Sequence, residues 1–212
     1  MIIVNRFGRR FMNEGVCYMD AFKAFKVYDE FSATYPNDNP AWQIFDARSR
    51  VGMRDIESED TPDWMFEAPT IAELAAKIGV HVDGLVEEVA RWNDYVAQAK
   101  DPDFRRGELW WEGFMMGGPS PEKNMAPIAE GPFFAMPIYS GAFATLGGLR
   151  IDPDSRVRSM RGGVIDGLYA VGAVAGGIFG DSYPGPGATL GPNMVFGVLA
   201  GRHAASMSPV AD

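Results

Sequence analysis

Nine residues near the carboxyl end, Tyr183-Pro-Gly-Pro-Gly-Ala-Thr-Leu-Gly191, have the types and spacing to act on charge. Glycines stand at 185, 187 and 191, and Pro192 follows at a position suited to the first residue of a helix. Such a run delivers backbone amides into a helix amino terminus. Orphan N–H groups and the helix dipole there stabilise developing negative charge by ~1 kcal/mol or more in a dry site. A carbonyl oxygen or the anionic edge of a reduced flavin suits it. A tight connector between packed elements is the other reading, and spacing alone leaves both open. A dinucleotide fingerprint is rejected, because the glycine spacing is off by one residue, no strand immediately precedes, and no acidic residue follows about twenty positions on.

Other chemistry is thin. One cysteine, Cys17, rules out an internal disulfide and a cysteine-rich metal site. His81 and His203 lie far apart without ligand spacing, so no metal is expected. The Met115-Met116 pair reads as packing or as pocket lining. A net charge of −9 without a basic stripe argues against a nucleic-acid partner.

The elements that must position the loop are read from periodicity. Residues 1–5 are apolar and β-prone, a strand without lead-in, as if the chain began in the middle of a fold. Phe22, Phe25 and Tyr28 at helical spacing predict an amphipathic helix over 19–31. A loop at 35–40 leads to a strand at 41–45, and 46–69 carries no clear pattern. Thr70 with Glu73 predicts a capped helix start, and Gly79 its end. Asp83 is expected to cap a second helix reaching about Ala99, with Leu85, Val86, Val89, Trp92 and Val96 inside and Glu87, Glu88, Arg91 and Asp94 outside. Residues 101–118 read as a loop. A strand follows at 131–138, a turn at 152–155, a short buried strand at 168–171 ending at Gly172, and a final helix from Pro192 through Ala205.

With 212 residues, 47% of them hydrophobic and 22% charged, the chain is long enough to bury a real core. No apolar run approaches the ~20 residues of a membrane span. The start lacks the features of a signal peptide, so a cytoplasmic location is the default.

Four motifs stand in one order: Gly8-Arg-Arg-Phe-Met-Asn-Glu14, Thr145-Leu-Gly-Gly-Leu-Arg-Ile-Asp152, Gly167-Leu-Tyr-Ala-Val-Gly172 and Tyr183-Pro-Gly-Pro-Gly-Ala-Thr-Leu-Gly-Pro192. The stretch from Thr70 to Gly107, with Asp101-Pro-Asp-Phe104, fits the same pattern. Over nearly its whole length the chain resembles the carboxy-terminal portion of the flavoproteins that include fumarate reductase flavoprotein subunits and 3-ketosteroid dehydrogenases. The resemblance implies an α+β substrate domain at 1–144, followed at 145–212 by the carboxy-terminal part of a Rossmann-like α/β FAD-binding domain. The amino-terminal dinucleotide-binding half, with its GxGxxG turn, is absent from these residues.

Branches of that family differ in what they hold. The loop Phe179-Gly-Asp-Ser-Tyr-Pro-Gly185 carries neither the His nor the Arg that would grip a dicarboxylate, and a buried carboxylate without a cation is costly. The Tyr-Pro-Gly-x-Gly loop looks like the 3-ketosteroid dehydrogenase branch. That likeness implies an FAD-dependent dehydrogenase acting on a hydrophobic ketone. Tyr183 and the Gly187 amide would hold the ketone oxygen, and Tyr18, four residues after Glu14, would be the base that removes a proton while a hydride leaves for flavin N5. Flavin contacts are expected from Gly172, Ala173, Gly187, Thr189 and Leu190. A free tyrosine titrates near ~10 and needs a neighbour to act as a base at neutral pH. The family supplies that neighbour from the absent half, and another chain is a candidate to supply the half itself. Asn13 and Glu14 are expected to fix a turn. The alternatives are a fumarate-reductase-like flavoprotein acting on another enoate, and a non-catalytic remnant that serves as a binding or dimerising module through the old substrate pocket. Read by itself, Tyr18 is also a candidate core aromatic beside Phe22.

Overall fold

A computed structural model describes residues 1–38, 40–50, 61–110, 112, 120–142 and 145–207. The Met115-Met116 pair lies outside them. Among the described residues, no helix is long and apolar enough to cross a membrane. The chain divides into two compact units, Met1–Gly141 and Ala142–Asp212.

The first unit is built on an antiparallel sheet. The apolar start forms β1 (Ile2–Val4), which pairs with β2 (Ala41–Asp46); β2 pairs with β4 (Phe133–Ile138), and β4 with β3 (Phe66–Ala68). Every residue of β2 is buried, because both faces of the sheet are covered. On one face Trp42 and Ile44 join Ile2 and Val4 against two helices, α3 (Ile71–Ile78) and α4 (Val82–Ala97), which contribute Leu74, Leu85, Val89 and Trp92. On the other, Phe45 stacks on Phe134 beside Met65. Two short helices, α2 (Ala47–Arg50) and α5 (Pro121–Asn124), flank this sheet in sequence.

Helix α1 (Tyr18–Phe25) is shorter than its apolar spacing predicts. It stops at Lys26 because Asp29 captures the chain beyond it. The Asp29 carboxylate accepts from the N–H groups of Phe31 and Ser32 and from the Ser32 hydroxyl. Side-chain bonds of this kind compete with helix propagation. Phe25 alone of the predicted stripe is buried, and Phe22 and Tyr28 are exposed.

The start of α3 matches its sequence: Thr70 Oγ1 accepts from Glu73 N–H at 3.2 Å, and Gly79 closes the helix at φ 73. The cap of α4 does not. His81 takes that position, its Nδ1 accepting from Gly84 N–H at 3.0 Å, and Asp83 sits inside the first turn. Glu88, expected outside, is buried because Arg91 at 2.6 Å and Arg9 at 3.7 Å meet its carboxylate, while Val86 faces outward.

The second unit holds the hairpin β5 (Arg156–Arg158) and β6 (Val164–Tyr169), a 3-10 turn at Gly172–Val174, and α6 (Leu190–Ser206). The predicted 168–171 strand is thus the end of a longer one; within it Leu168 is exposed, and Ala170 just beyond is buried. Pro192 is the third helical residue and not the first. The amides on either side of it, Gly191 and Asn193, donate to Gly187 C=O and Thr189 C=O, so its missing N–H omits one bond in the first turn.

Candidate active site

In the first unit, a charged cluster fixes the approach to Tyr18. Arg10 donates from Nε and Nη2 to the two oxygens of Glu14, both at 2.8 Å. Glu14 also accepts from Ile3 N–H at 3.1 Å and from Arg106 at 3.1 Å. Asn13 caps the next turn, its Oδ1 accepting from Gly15 N–H at 2.8 Å while its Nδ2 donates to Phe104 C=O at 3.1 Å and to Glu112. These side chains are consumed in structure, so the motif through residue 14 sets a turn. Phe25 lies edge-on to Phe11, and Phe25, Ala21 and Ala24 seat α1 against Met12 and Ala41. Tyr18 begins that helix and is 54% exposed, outside the buried clusters. The core-aromatic reading of Tyr18 fails on that exposure. The positive end of the α1 dipole favours negative charge at this position.

In the second unit, backbone hydrogen bonds hold the loop before α6. Ala188 N–H donates to Gly185 C=O at 3.1 Å, and Gly191 N–H to Gly187 C=O at 2.9 Å. The N–H groups of Gly187, Thr189 and Leu190 have no protein acceptor among the described residues. Gly187 has φ 89, and among the described residues no atom beyond its chain neighbours comes within 4 Å of the position a Cβ would take. Tyr183 is half-buried, and Thr189 and Leu190 are exposed.

Gly172 and Ala173 lie in the 3-10 turn, which packs on α6. That turn is gripped by the segment before β5: Leu149 N–H donates to Val174 C=O and Gly176 N–H to Leu149 C=O, both at 2.8 Å. The approach requires Gly148, since a Cβ there would stand 2.4 Å from Val174 O. Gly172, at φ 78, is open on its Cα side like Gly187. Two anchors fix α6 itself. Ser155 donates to Phe196 C=O at 2.9 Å, and the Tyr169 hydroxyl bonds His203 Nδ1 at 2.7 Å. Sequence reasoning missed Gly148 and Ser155 as positioning residues; the Gly-Gly pair at 147–148 was the available signal.

A family model described as FAD binding domain matches residues 1–190. The chain belongs to this FAD binding domain family, and FAD is the cofactor that family membership assigns to it. Over 206 residues it is 40% identical to a 4-oxocyclohexanecarboxylate 2-dehydrogenase of Sinomonas cyclohexanicum, covering 95% of this chain and 36% of that protein. Over 221 residues it is 36% identical to a 3-oxosteroid 1-dehydrogenase of Mycobacterium tuberculosis, covering 98% of this chain and 39% of that one. It also matches the crystal structure of a 3-ketosteroid delta1-dehydrogenase from Sterolibacterium denitrificans in complex with 1,4-androstadiene-3,17-dione. That match has a TM-score of 0.84 at 34% identity, over 97% of this chain and 39% of the other. The chain therefore spans less than two fifths of the length of these relatives.

The residues present fit a flavin. Open glycine faces at 172 and 187 admit a flat ring system close to the backbone, and the unpaired amides at 187, 189 and 190 offer donors to its carbonyl and anionic edge. The dinucleotide grip is a separate requirement, and no GxGxxG stands in the sequence.

Proposed function

We propose that the chain is the substrate-side part of an FAD-dependent dehydrogenase that desaturates the carbon pair next to a ketone in a steroid-like substrate. In this reading Met1–Gly141 is the α+β substrate domain, and Ala142–Asp212 contributes the last strands and final helix of a Rossmann-like FAD domain. A dinucleotide-binding half completes the protein, and the location is cytoplasmic.

The observation that carries the reading is the loop Tyr183–Gly187 at the mouth of α6, whose amide at 187 has no protein acceptor among the described residues. The Gly187 N–H and the Tyr183 hydroxyl bind the ketone oxygen and stabilise the negative charge that grows on it. Two such donors acidify the adjacent carbon. Tyr18, as phenolate, takes the proton from that carbon. Bound FAD supplies the acceptor for the hydride that leaves the next carbon. Gly172, Ala173, Gly187, Thr189 and Leu190 hold the flavin, with the amides of the last three directed at its polar edge. A dicarboxylate is disfavoured by the same loop, since residues 179–191 include no His or Arg.

Purified chain is mixed with FAD, alone and together with the dinucleotide-binding half of a 3-oxosteroid 1-dehydrogenase. The expected result is a shifted flavin spectrum with both parts present, followed by oxidation of a 3-oxosteroid and no reduction of fumarate. A flavin that binds but passes no electrons from any cyclic ketone would overturn the proposal.

A further inference from the structure

Glu112 is an acid in the interior of the first unit, in a stretch to which the sequence assigns no chemistry. It is fully buried, and among the described residues it meets two donors and no cation. One oxygen accepts from Gly107 N–H and the other from Asn13 Nδ2. A carboxylate taken out of water without an ion pair is costly, so this position asks for more than filled space.

What it asks for is an acceptor on both sides. Gly107 N–H can only donate. The Asn13 amide is oriented by backbone groups: its Oδ1 accepts from Gly15 N–H at 2.8 Å, and its Nδ2 donates to Phe104 C=O at 3.1 Å, which leaves one N–H for Glu112. A glutamine at 112 would bring one acceptor to two donors.

Through Asn13 the acid reaches the turn that delivers α1. Val16 N–H donates to Asn13 C=O at 3.3 Å, and Gly15 lies against the acid itself, where a Cβ would stand 2.9 Å from Glu112 Cγ. Cys17 then takes the cap position of α1 without a side-chain hydrogen bond, and Tyr18 is the first helical residue. The turn thus fixes where the chain enters the helix, three residues before the phenol.

Resting on the function proposed above, we infer that Glu112 is a positioning residue for the proton transfer, holding Tyr18 in place through Asn13 and the turn at 13–16. A base must stand within hydrogen-bond reach of the proton it takes, and a displacement of about 1 Å slows such a step by about 10²-fold.

The test combines the full chain with FAD and the dinucleotide-binding half of a 3-oxosteroid 1-dehydrogenase. It follows flavin bleaching by 4-androstene-3,17-dione, plain and deuterated at the saturated carbon beside the 3-ketone. Glu112→Gln is expected to lower kcat roughly 10- to 100-fold, with KM and the flavin spectrum little changed, and to enlarge the deuterium effect on bleaching. A residue that only supports the fold would lower the folded fraction and leave the rate per bound flavin and the deuterium effect as they were. Asn13→Ala should slow bleaching to a similar degree, and the double variant should be no slower than the worse single one, because the two act in one line of contacts. Additive losses overturn the route through Asn13. If Glu112→Gln does not fold, Gly15→Ala decides. Gly15 does not use left-handed backbone, so alanine there keeps every hydrogen-bonding group and presses on Glu112 Cγ; bleaching at the normal rate overturns the inference, and slowed bleaching supports it. If Glu112→Gln folds and bleaches normally while Tyr18→Phe is slow, the inference is wrong and the proposed function stands. If Tyr18→Phe itself bleaches normally, the assignment of the base falls and takes the inference with it.

Discussion

Arg10 donates from Nη2 to Asp101 Oδ2 at 2.9 Å, and both side chains are fully buried although 91 residues separate them. The guanidinium lies 4.5 Å from the ring centre of Trp92 and 5.1 Å from that of Phe104. Glu14 and Arg106 complete a cluster of two cations and two anions, formally neutral. A neutral, hydrogen-bonded cluster tolerates burial, whereas half of one does not. Removing Asp101 strands a charge that cannot reach water, which costs about 3–5 kcal/mol. Asp101→Ala should therefore lower the unfolding free energy of the first unit by that amount, read as a lower urea midpoint with little change in slope. A loss below about 1 kcal/mol would show that the cluster relaxes into solvent.

The same pair sets an acid limit. Burial pushes the Asp101 carboxyl up, but the Arg10 hydrogen bond and charge, with the N–H groups of Phe104 and Arg106, outweigh it and hold the group below its ordinary value. Asp46 goes the same way: burial opposes, and the Ser49 N–H and hydroxyl and the Ala129 N–H prevail. A carboxyl depressed in the folded state binds fewer protons there than in the unfolded chain. Its contribution is complete above the unfolded value near ~4 and is lost as pH falls through the lower folded value. Denaturant midpoints should be level above pH ~5 and decline below pH ~4, and Asp101→Asn should flatten that acid limb. An unchanged limb in the variant assigns the decline to other carboxyls.

Backbone contact, not helix propensity, decides the fate of Gly84. It sits in α4, where alanine would ordinarily gain about 1 kcal/mol. Yet a Cβ at 84 would stand 2.1 Å from Phe7 O, and one at Gly8 would stand 2.4 Å from Leu85 N. The turn after β1 crosses the start of α4 with no room for a methyl group on either side. Overpacking costs ~1–3 kcal/mol and exceeds the propensity gain. Gly84→Ala is expected to destabilise by about 1–2 kcal/mol in a urea titration; a stabilised variant would mean the crossing can open freely.

What sequence could give depended on how local the determinant is. The β1 and β2 strands, the Thr70 cap and the Gly79 stop are set by neighbours within a few residues, and all were legible. The His81 cap was not, because Asp83 is the stronger capping type by propensity and only the turn geometry places His81 Nδ1 over Gly84 N–H. Glu88 read as solvent-facing because, besides Arg91 three residues on, the cation that joins it on the buried side, Arg9, is remote in sequence. The end of α1 was missed because the Asp29 side chain, not the apolar period, controls it. Of the candidate site, periodicity and spacing offered only the glycine loop. Tyr18 came from the resemblance.

The proposed role of Tyr18 as base makes a sharp kinetic prediction. Tyr18 is exposed and sits outside the core, so Tyr18→Phe removes a hydroxyl without opening a cavity. In the assembled flavoprotein the substitution should lower kcat by about 10²–10⁴, leaving steroid binding and the flavin spectrum in place. Gly187→Ala should behave differently. Its φ of 89 strains any side chain, so the amide moves and flavin binding suffers along with turnover. Rapid-mixing measurements of flavin bleaching separate the two. A Tyr18→Phe protein that bleaches at the normal rate would remove this residue from the chemistry.

Adjacent glycines at 147 and 148 should respond oppositely to the same methyl group. At Gly147 a Cβ meets nothing within 4 Å among the described residues, whereas at Gly148 it would lie 2.4 Å from Val174 O, 2.6 Å from the Ala175 carbonyl carbon and 2.8 Å from Gly176 N. All three are backbone atoms, so no side-chain rotation can relieve the clash. The segment must separate from the Gly172–Val174 turn, and the bonds Leu149 N–H to Val174 C=O and Gly176 N–H to Leu149 C=O break with it. Gly148→Ala should expose the Leu149 and Gly176 amides to rapid hydrogen exchange in the chain itself and abolish flavin binding in the assembled protein. Gly147→Ala should do neither, and the first unit should unfold at its usual midpoint in both. Protected amides in Gly148→Ala would mean that the turn follows the strand as a rigid piece, and the cradle at Gly172 would then owe its position to α6 alone.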